Sequence, residues 1–88
     1  MNDKYEKLRT LFADQNFPLI YPFKFIITKD EQKIIKIRRI FDETAEISTR
    51  DSKNGKYLSI TIKQMMLNTD DIIERYERME AIEGVISL

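Results

Sequence analysis

Apolar and polar residues alternate most regularly in the segment that follows the dipeptide Asn54-Gly55. Leu58, Ile60 and Ile62 occupy every second position there, so in an extended chain they point to one side. The positions between them are mostly polar: Tyr57, Ser59, Thr61 and Lys63. Asn-Gly favours a type I′ hairpin turn, in which both central residues have positive φ. The pattern therefore predicts a hairpin whose second strand belongs to an antiparallel sheet covered on one face only.

Three further segments are predicted to be strands. Residues 19–28 alternate between an apolar face and a mixed face, with Phe23, Phe25 and Ile27 on the first and Lys24, Ile26 and Thr28 on the second. Pro22 lacks a backbone N–H, so it is expected at the start of this strand or facing an unpaired edge. Residues 44–53 alternate weakly and predict a polar edge strand, paired through the turn at Asn54-Gly55. Residues 85–88 predict a short last strand.

The first helical segment covers residues 4–14, which repeat apolar side chains at helical spacing. Its apolar stripe consists of Tyr5, Leu8, Leu11 and Phe12. A helix of about three turns is marginal by itself, so this one is expected to pack against the rest of the chain.

Two longer helices are predicted further along. Thr28 and Glu31 have the spacing of a capping box and open a helix that extends to about Asp42. Its buried stripe is Ile34, Ile37, Ile40 and Phe41. A second helix over residues 68–82 is capped by Asn68 or Thr69 and is ended by Gly84 in the left-handed conformation. Its inner stripe is Ile72, Ile73, Tyr76, Met79 and Ile82.

The predicted order is a helix followed by β-α-β-β-α-β. Four antiparallel strands with two helices on one face predict an α+β fold, the ferredoxin-like sandwich with sheet order 4-1-3-2 and an extra N-terminal helix. The domain division predicted is an N-terminal helical extension over residues 1–16 and a ferredoxin-like domain over residues 17–88.

Composition narrows the chemistry that the chain can perform. It has 88 residues, 15 basic and 15 acidic side chains, no cysteine and no histidine. These counts exclude disulfides, thiolate metal sites and the usual general base near neutral pH. Zero net charge argues against a dedicated nucleic-acid partner, because nucleic-acid binders normally carry an excess of basic residues. No apolar run is long enough to span a membrane, so we expect a cytoplasmic protein without a membrane partner.

No cluster of polar residues predicts a catalytic, metal or cofactor site. The cations over residues 33–39 are interpreted as a solvated helix face, and Asp70, Asp71 and Glu74 as acids favoured near a helix N-terminus. The segment 52–56 contains one glycine and lacks the Gly-rich cradle of a phosphate loop. An acylphosphatase-like enzyme would need such a loop after the first strand, and residues 28–31 are acidic without glycine. We therefore predict no enzymatic activity and no cofactor.

Several short sequence motifs together resemble the YbeD-like family of small bacterial proteins, which carry a domain of unknown function. They are Phe17-Pro18, Tyr21-Pro22-Phe23-Lys24, the segment from Ser52 to Thr61, the helix with Tyr76, and Ile82-Glu83-Gly84-Val85. The resemblance covers about residues 17–88. It implies a ferredoxin-like fold similar to ACT-type regulatory domains, no established enzymatic activity, and a regulatory role.

The helix-free face of the sheet is the candidate interaction surface. It is predicted to carry Lys24, Ile26, Ser48, Arg50, Tyr57, Ser59, Thr61 and Lys63. This mixture suits a protein partner, a small polar ligand or a side-by-side homodimer. Alternatively, the N-terminal helix covers this face. The alternative function is RNA binding, because RNA-recognition modules have the same element order.

Overall fold

The structure is a computed structural model that describes residues 4–88. It contains three helices and four strands in the described chain. In chain order these are α1 (Glu6–Leu11), β1 (Leu19–Thr28), α2 (Glu31–Ile40), β2 (Glu46–Asp51), β3 (Tyr57–Met66), α3 (Thr69–Glu80) and β4 (Ile86–Ser87).

The four strands form one antiparallel sheet in the order β2-β3-β1-β4. β1 and β3 are the central strands and pair over ten residues, from Leu19 opposite Met66 to Thr28 opposite Tyr57. The sheet order is the predicted 4-1-3-2 read from the other edge. The ferredoxin-like fold with an additional N-terminal helix is therefore confirmed.

The core lies between the sheet and the helices α2 and α3. The alternation of apolar and polar residues along β1 and β3 determines which side chains enter the core, because every second residue of these strands faces the helices. Phe23, Ile27, Ile37, Ile62 and Ile72 are completely buried. Each such side chain contributes about 1.5–3 kcal/mol when removed from water. The other face of the sheet, called the open face from here on, carries neither α2 nor α3.

The turn between β2 and β3 differs from the prediction. Gly55 has a φ of 72°, but no non-glycine residue of the described chain has a positive φ. A type I′ turn requires a positive φ at Asn54 as well, so the prediction of this turn type is wrong. Asn54 instead accepts a hydrogen bond through Oδ1 from Lys56 N at 3.1 Å, which is a local side-chain bond that this residue type favours in turns. The connection is consequently longer and covers residues 52–56.

Two helix ends also differ from the prediction. Asp30 caps α2, because its carboxylate accepts a hydrogen bond from Gln32 N at 2.9 Å, whereas Thr28 is the last residue of β1. The prediction that Thr28 and Glu31 form a capping box at the start of α2 is therefore wrong. Gly84 does adopt a left-handed φ of 82°, but α3 already ends at Glu80 with Ala81 as its C-cap residue, so Gly84 belongs to the following turn. The cap of α3 by Asn68 is confirmed, with Asp71 N as donor at 2.9 Å.

Helix α1 packs on the helix layer beside α3. The Tyr5 ring stacks on the Tyr76 ring of α3 with 6.3 Å between centroids. Phe12 contacts the ring edge of Tyr21, which packs against the buried core. Leu11 does not belong to this contact and is 65% exposed, because α1 is shorter than predicted and ends at that residue.

Candidate functional site

The open face of the sheet is not covered by α1. The helix contacts Tyr76 and Tyr21, and both rings lie on the side of the sheet that α2 and α3 occupy. The alternative in which the N-terminal helix covers the open face is therefore wrong.

All eight residues of the candidate surface lie on the open face. Strand register sets their arrangement: Lys24 lies opposite Thr61, and Thr61 lies opposite Ser48. The next row joins Ile26, Ser59 and Arg50. Tyr57 and Lys63 lie on the same face of β3, Tyr57 two residues before Ser59 and Lys63 two residues after Thr61.

The open face also carries apolar residues that were not predicted for it. Ile86 lies opposite Ile26, and Ile20 lies opposite Met65. Leu88 follows on the β4 side, where its N–H donates to the carbonyl oxygen of Lys24 at 2.9 Å. The alternation of β1 and β3 continues to their ends and could have indicated Ile20 and Met65. The position of Ile86 depends on the register of a two-residue strand, which no local pattern specifies.

The charges on the open face are mostly positive. Lys24, Arg50 and Lys63 are exposed, and Glu46, opposite Lys63, is the acidic residue of the same face. None of the three cations forms an ion pair within residues 4–88. This surface therefore differs from the chain as a whole, whose net charge is zero.

A second concave surface, called the α1–α3 cleft, lies on the helix side of the sheet. Its volume is about 570 Å³, and it extends from α1 across α3 to the β1–β4 edge. The residues that line it are Lys4, Tyr5, Leu8, Phe25, Tyr76, Met79, Glu80, Val85 and Ser87. No local pattern in the sequence indicates this cleft, because its residues come from four separate segments.

Tyr5, Tyr21 and Tyr76 meet next to the α1–α3 cleft, with the Tyr76 ring in contact with the other two. The hydroxyl oxygens of Tyr21 and Tyr76 are 2.7 Å apart and share a hydrogen bond. Burial raises the pKa of the Tyr76 hydroxyl far above its ordinary value, and the hydrogen bond with Tyr21 adds to this effect. Tyr76 therefore stays neutral and provides an aromatic ring rather than a proton-transfer group.

At the mouth of the α1–α3 cleft, Lys4 and Glu80 form an ion pair. The Lys4 ammonium lies 2.8 Å from Glu80 Oε2. This hydrogen bond, together with one from Tyr5, lowers the pKa of the Glu80 carboxyl below its ordinary value. Glu80 is therefore a stable anion near neutral pH.

A hydrogen bond between the buried Gln64 and the exposed Asp42 holds the loop that follows α2. Gln64 is 5% exposed and donates through Nε2 to Asp42 Oδ2 at 2.5 Å. Asp42 also accepts hydrogen bonds from the hydroxyl and the N–H of Thr44, and these lower the pKa of its carboxyl. This arrangement fixes the loop between α2 and β2.

The acids considered as metal ligands are used in other contacts. Asp70 pairs with Arg9 at 2.6 Å, Asp71 accepts from Leu67 N, and Glu74 pairs with Arg75. Within residues 4–88, no three His, Cys, Asp or Glu side chains come together in a way that suits a metal ion. None of the helices in this part of the chain has the length and apolar character needed to cross a membrane.

Comparisons with known proteins assign the family. A family model described as "Protein of unknown function (DUF493)" matches residues 13–88, a region that begins after α1. UPF0250 proteins from the Shewanella baltica strains OS155, OS185 and OS195 are each 34% identical to this chain over 74 residues, which is 80% of this chain and 84% of the relative. No solved structure matches the chain significantly. The chain therefore belongs to the DUF493 family of bacterial proteins, the YbeD-like family that its sequence motifs resemble.

Proposed function

We propose that this protein is a non-catalytic domain that binds another protein through the open face of its sheet. The observation that carries the proposal is the number of exposed apolar side chains there. Eight large hydrophobic residues of the described chain are exposed, and five of them lie on the open face: Ile20, Tyr57, Met65, Ile86 and Leu88. These side chains form two groups, one around Met65 and one around Ile86, with Lys24 and Lys63 between them. Exposed apolar side chains interspersed with polar ones are typical of a protein interface.

The shape of the open face favours a protein over a small ligand. Two depressions on it have volumes of about 260 and 180 Å³, the first beside Ile20 and Met65 and the second beside Tyr57. Small-molecule sites usually enclose about 300–1,000 Å³. A flat surface of this kind is better suited to the broad contact that a protein makes.

The charge of the open face indicates the chemistry of the partner. Lys24, Arg50 and Lys63 would attract a surface that presents carboxylates between apolar side chains. A second copy of this chain, docked through the same face, would bring three further cations toward these three. A partner with an acidic surface is therefore favoured over a homodimer through the open face.

The same surface offers little for RNA. Tyr57 is the sole aromatic residue on the open face of the described chain. RNA-recognition modules of this topology stack two or three bases on aromatic side chains. The open face therefore lacks the stacking platform on which the alternative function depends.

The proposal can be tested by affinity capture from a lysate of the native host, with the tagged protein as bait. A Tyr57→Ala/Arg50→Ala double variant removes an aromatic and a cation from the open face. Tyr and Arg are the residue types that dominate binding energies at interfaces, so we expect recovery of a specific partner to fall at least about tenfold.

The matched control is a Leu11→Ala/Ile35→Ala double variant. Both residues are exposed apolar side chains on helices, at 65% and 42% exposure, and they lie away from the open face. This control should recover the partner like the wild type. If the Tyr57/Arg50 variant retained the partner and the Leu11/Ile35 variant lost it, the open face would be the wrong surface. Recovery that disappears after nuclease treatment would favour the RNA alternative.

A further inference from the structure

The α1–α3 cleft exists because β4 is short and carries a small residue. β4 pairs with β1 at Phe25 and Ile26 only. Ser87 lies opposite Phe25, so on the helix side this edge of the sheet is covered by a hydroxymethyl group instead of a large side chain. Space consequently remains between α3 and the β1–β4 edge, and α1 forms its outer wall.

The walls of the cleft are largely apolar. Phe25 and Met79 form the floor, while Leu8 and Val85 are half-buried at its sides. The ring of Tyr76 completes this surface, because its hydroxyl is already engaged with Tyr21. The volume of about 570 Å³ falls within the range of about 300–1,000 Å³ that small-molecule sites have.

At the mouth of the cleft, an ammonium group is already bound by the protein's own residues. The Nζ atom of Lys4 is 2.8 Å from Glu80 Oε2 and 6.0 Å from the centroid of the Tyr5 ring. A carboxylate beside an aromatic ring is the combination that binds organic cations in proteins. The Lys4 side chain is 69% exposed, so its aliphatic stem leaves the half-buried Leu8 and Val85 free to contact a ligand.

We propose that the α1–α3 cleft binds a small organic ammonium ion with an apolar body. The ligand's ammonium group replaces that of Lys4 at Glu80 and Tyr5, and its apolar body covers the exposed parts of Leu8 and Val85. This exchange is favourable because an exposed ion pair such as Lys4–Glu80 contributes little by itself, whereas the ligand adds burial of apolar surface.

An anionic ligand fits the cleft less well. It would need Lys4 to leave Glu80, and its negative charge would then lie next to the Glu80 carboxylate. Glu80 remains ionised near neutral pH even without Lys4, because a glutamate carboxyl ordinarily loses its proton well below that pH. The sign of the charge at the mouth of the cleft therefore selects a cation.

The site does not depend on the proposed function of the open face, because the two surfaces lie on opposite sides of the sheet. Lys4, Tyr5 and Leu8 also precede residues 13–88, the part that matches the family model. The ammonium site is therefore composite: α1 and the residues just before it supply one wall, and the matched region supplies Glu80 and the floor.

The experiment is a titration of the isotope-labelled protein with phenethylammonium, followed by NMR. The methyl resonances of Leu8, Met79 and Val85 should shift in a saturable manner, with a Kd below about 10 mM. The probe 3-phenylpropionate has a similar apolar body and the opposite charge, and it should bind at least about tenfold more weakly.

Two variants of the ion pair should change the affinity in opposite directions. Glu80→Gln removes the anion and should weaken phenethylammonium binding at least about tenfold. Lys4→Ala removes the competing ammonium and should strengthen binding about two- to fivefold. Lys7→Ala, a change of another cation in α1 that does not line the cleft, should leave the affinity unchanged.

Three results would overturn the assignment. The first is the absence of saturable shifts with phenethylammonium. The second is tighter binding of 3-phenylpropionate that is lost in Lys4→Ala, which would make Lys4 the anchor of an anion site. The third is an affinity for phenethylammonium that Glu80→Gln does not change, which would make the contact merely apolar.

Discussion

The hydrogen bond between Tyr21 and Tyr76 allows a quantitative test of how the helix layer is attached to the sheet. The two hydroxyl oxygens are 2.7 Å apart, and the Tyr21 ring touches Phe23 and Phe12 with centroid distances of 4.6 and 5.5 Å. Replacing either tyrosine by phenylalanine keeps the ring in place and removes one hydroxyl. The other hydroxyl then faces an apolar neighbourhood without its partner.

The magnitude follows from the cost of a lost hydrogen bond. Each single variant, Tyr21→Phe or Tyr76→Phe, should lower the free energy of unfolding by about 1 kcal/mol, since one polar group loses its partner. The double variant removes both polar groups and leaves none unpaired, so its loss should also be about 1 kcal/mol rather than 2. The double-mutant cycle should therefore give a coupling energy of about 1 kcal/mol.

Equilibrium unfolding in urea provides the measurement, with all four proteins compared at one pH near neutrality. Because the rings remain, the dependence of the unfolding free energy on urea concentration should be the same for all four. Strictly additive losses, with a coupling energy near zero, would contradict the prediction. Such a result would mean that each hydroxyl is bonded to water and not to the other tyrosine.

Three further changes test other parts of the fold. Gly55→Ala should cost about 1 kcal/mol in urea unfolding, because a Cβ at a φ of 72° is strained although the space around it is empty. Asn68→Ala removes the cap of α3 and should lower the stability by about 1 kcal/mol, measured by thermal unfolding. Hydrogen bonds from Thr44 lower the pKa of folded Asp42 below its ordinary 3.8, so Asp42 stabilises the protein above that pH and this contribution is lost as the pH falls through the folded pKa. Stability curves measured from about pH 6 to pH 2 should accordingly fall less steeply for Asp42→Asn than for the wild type.

Much of the fold could be predicted because the central strands obey a simple alternation. Phe23 and Ile62 are buried and opposite each other, as their positions in β1 and β3 required. The turn at Asn54 could not be specified in the same way, since its side chain bonds to Lys56 and the backbone keeps a negative φ. Local hydrogen bonds of this kind compete with the turn that the residue pair favours.

The position of α1 and the hydrogen bond between Gln64 and Asp42 both depend on interactions between distant segments. Gln64 follows the alternation into the core, but its partner Asp42 comes from a loop 22 residues earlier. The apolar stripe of α1 indicated that the helix packs somewhere, and either face of the sheet was compatible with it. The stacking of Tyr5 on Tyr76 decides between them, and the sequence does not specify this pairing.

Consecutive residues of β1 serve the two proposed binding surfaces from opposite sides. Phe25 lies on the floor of the α1–α3 cleft, while its neighbours Lys24 and Ile26 face the other way. An amine on one side and a protein on the other would thus be held back to back, separated by the thickness of one β-strand. Neither occupant would obstruct the other, and any influence between them would have to pass through the short backbone step from Lys24 to Ile26.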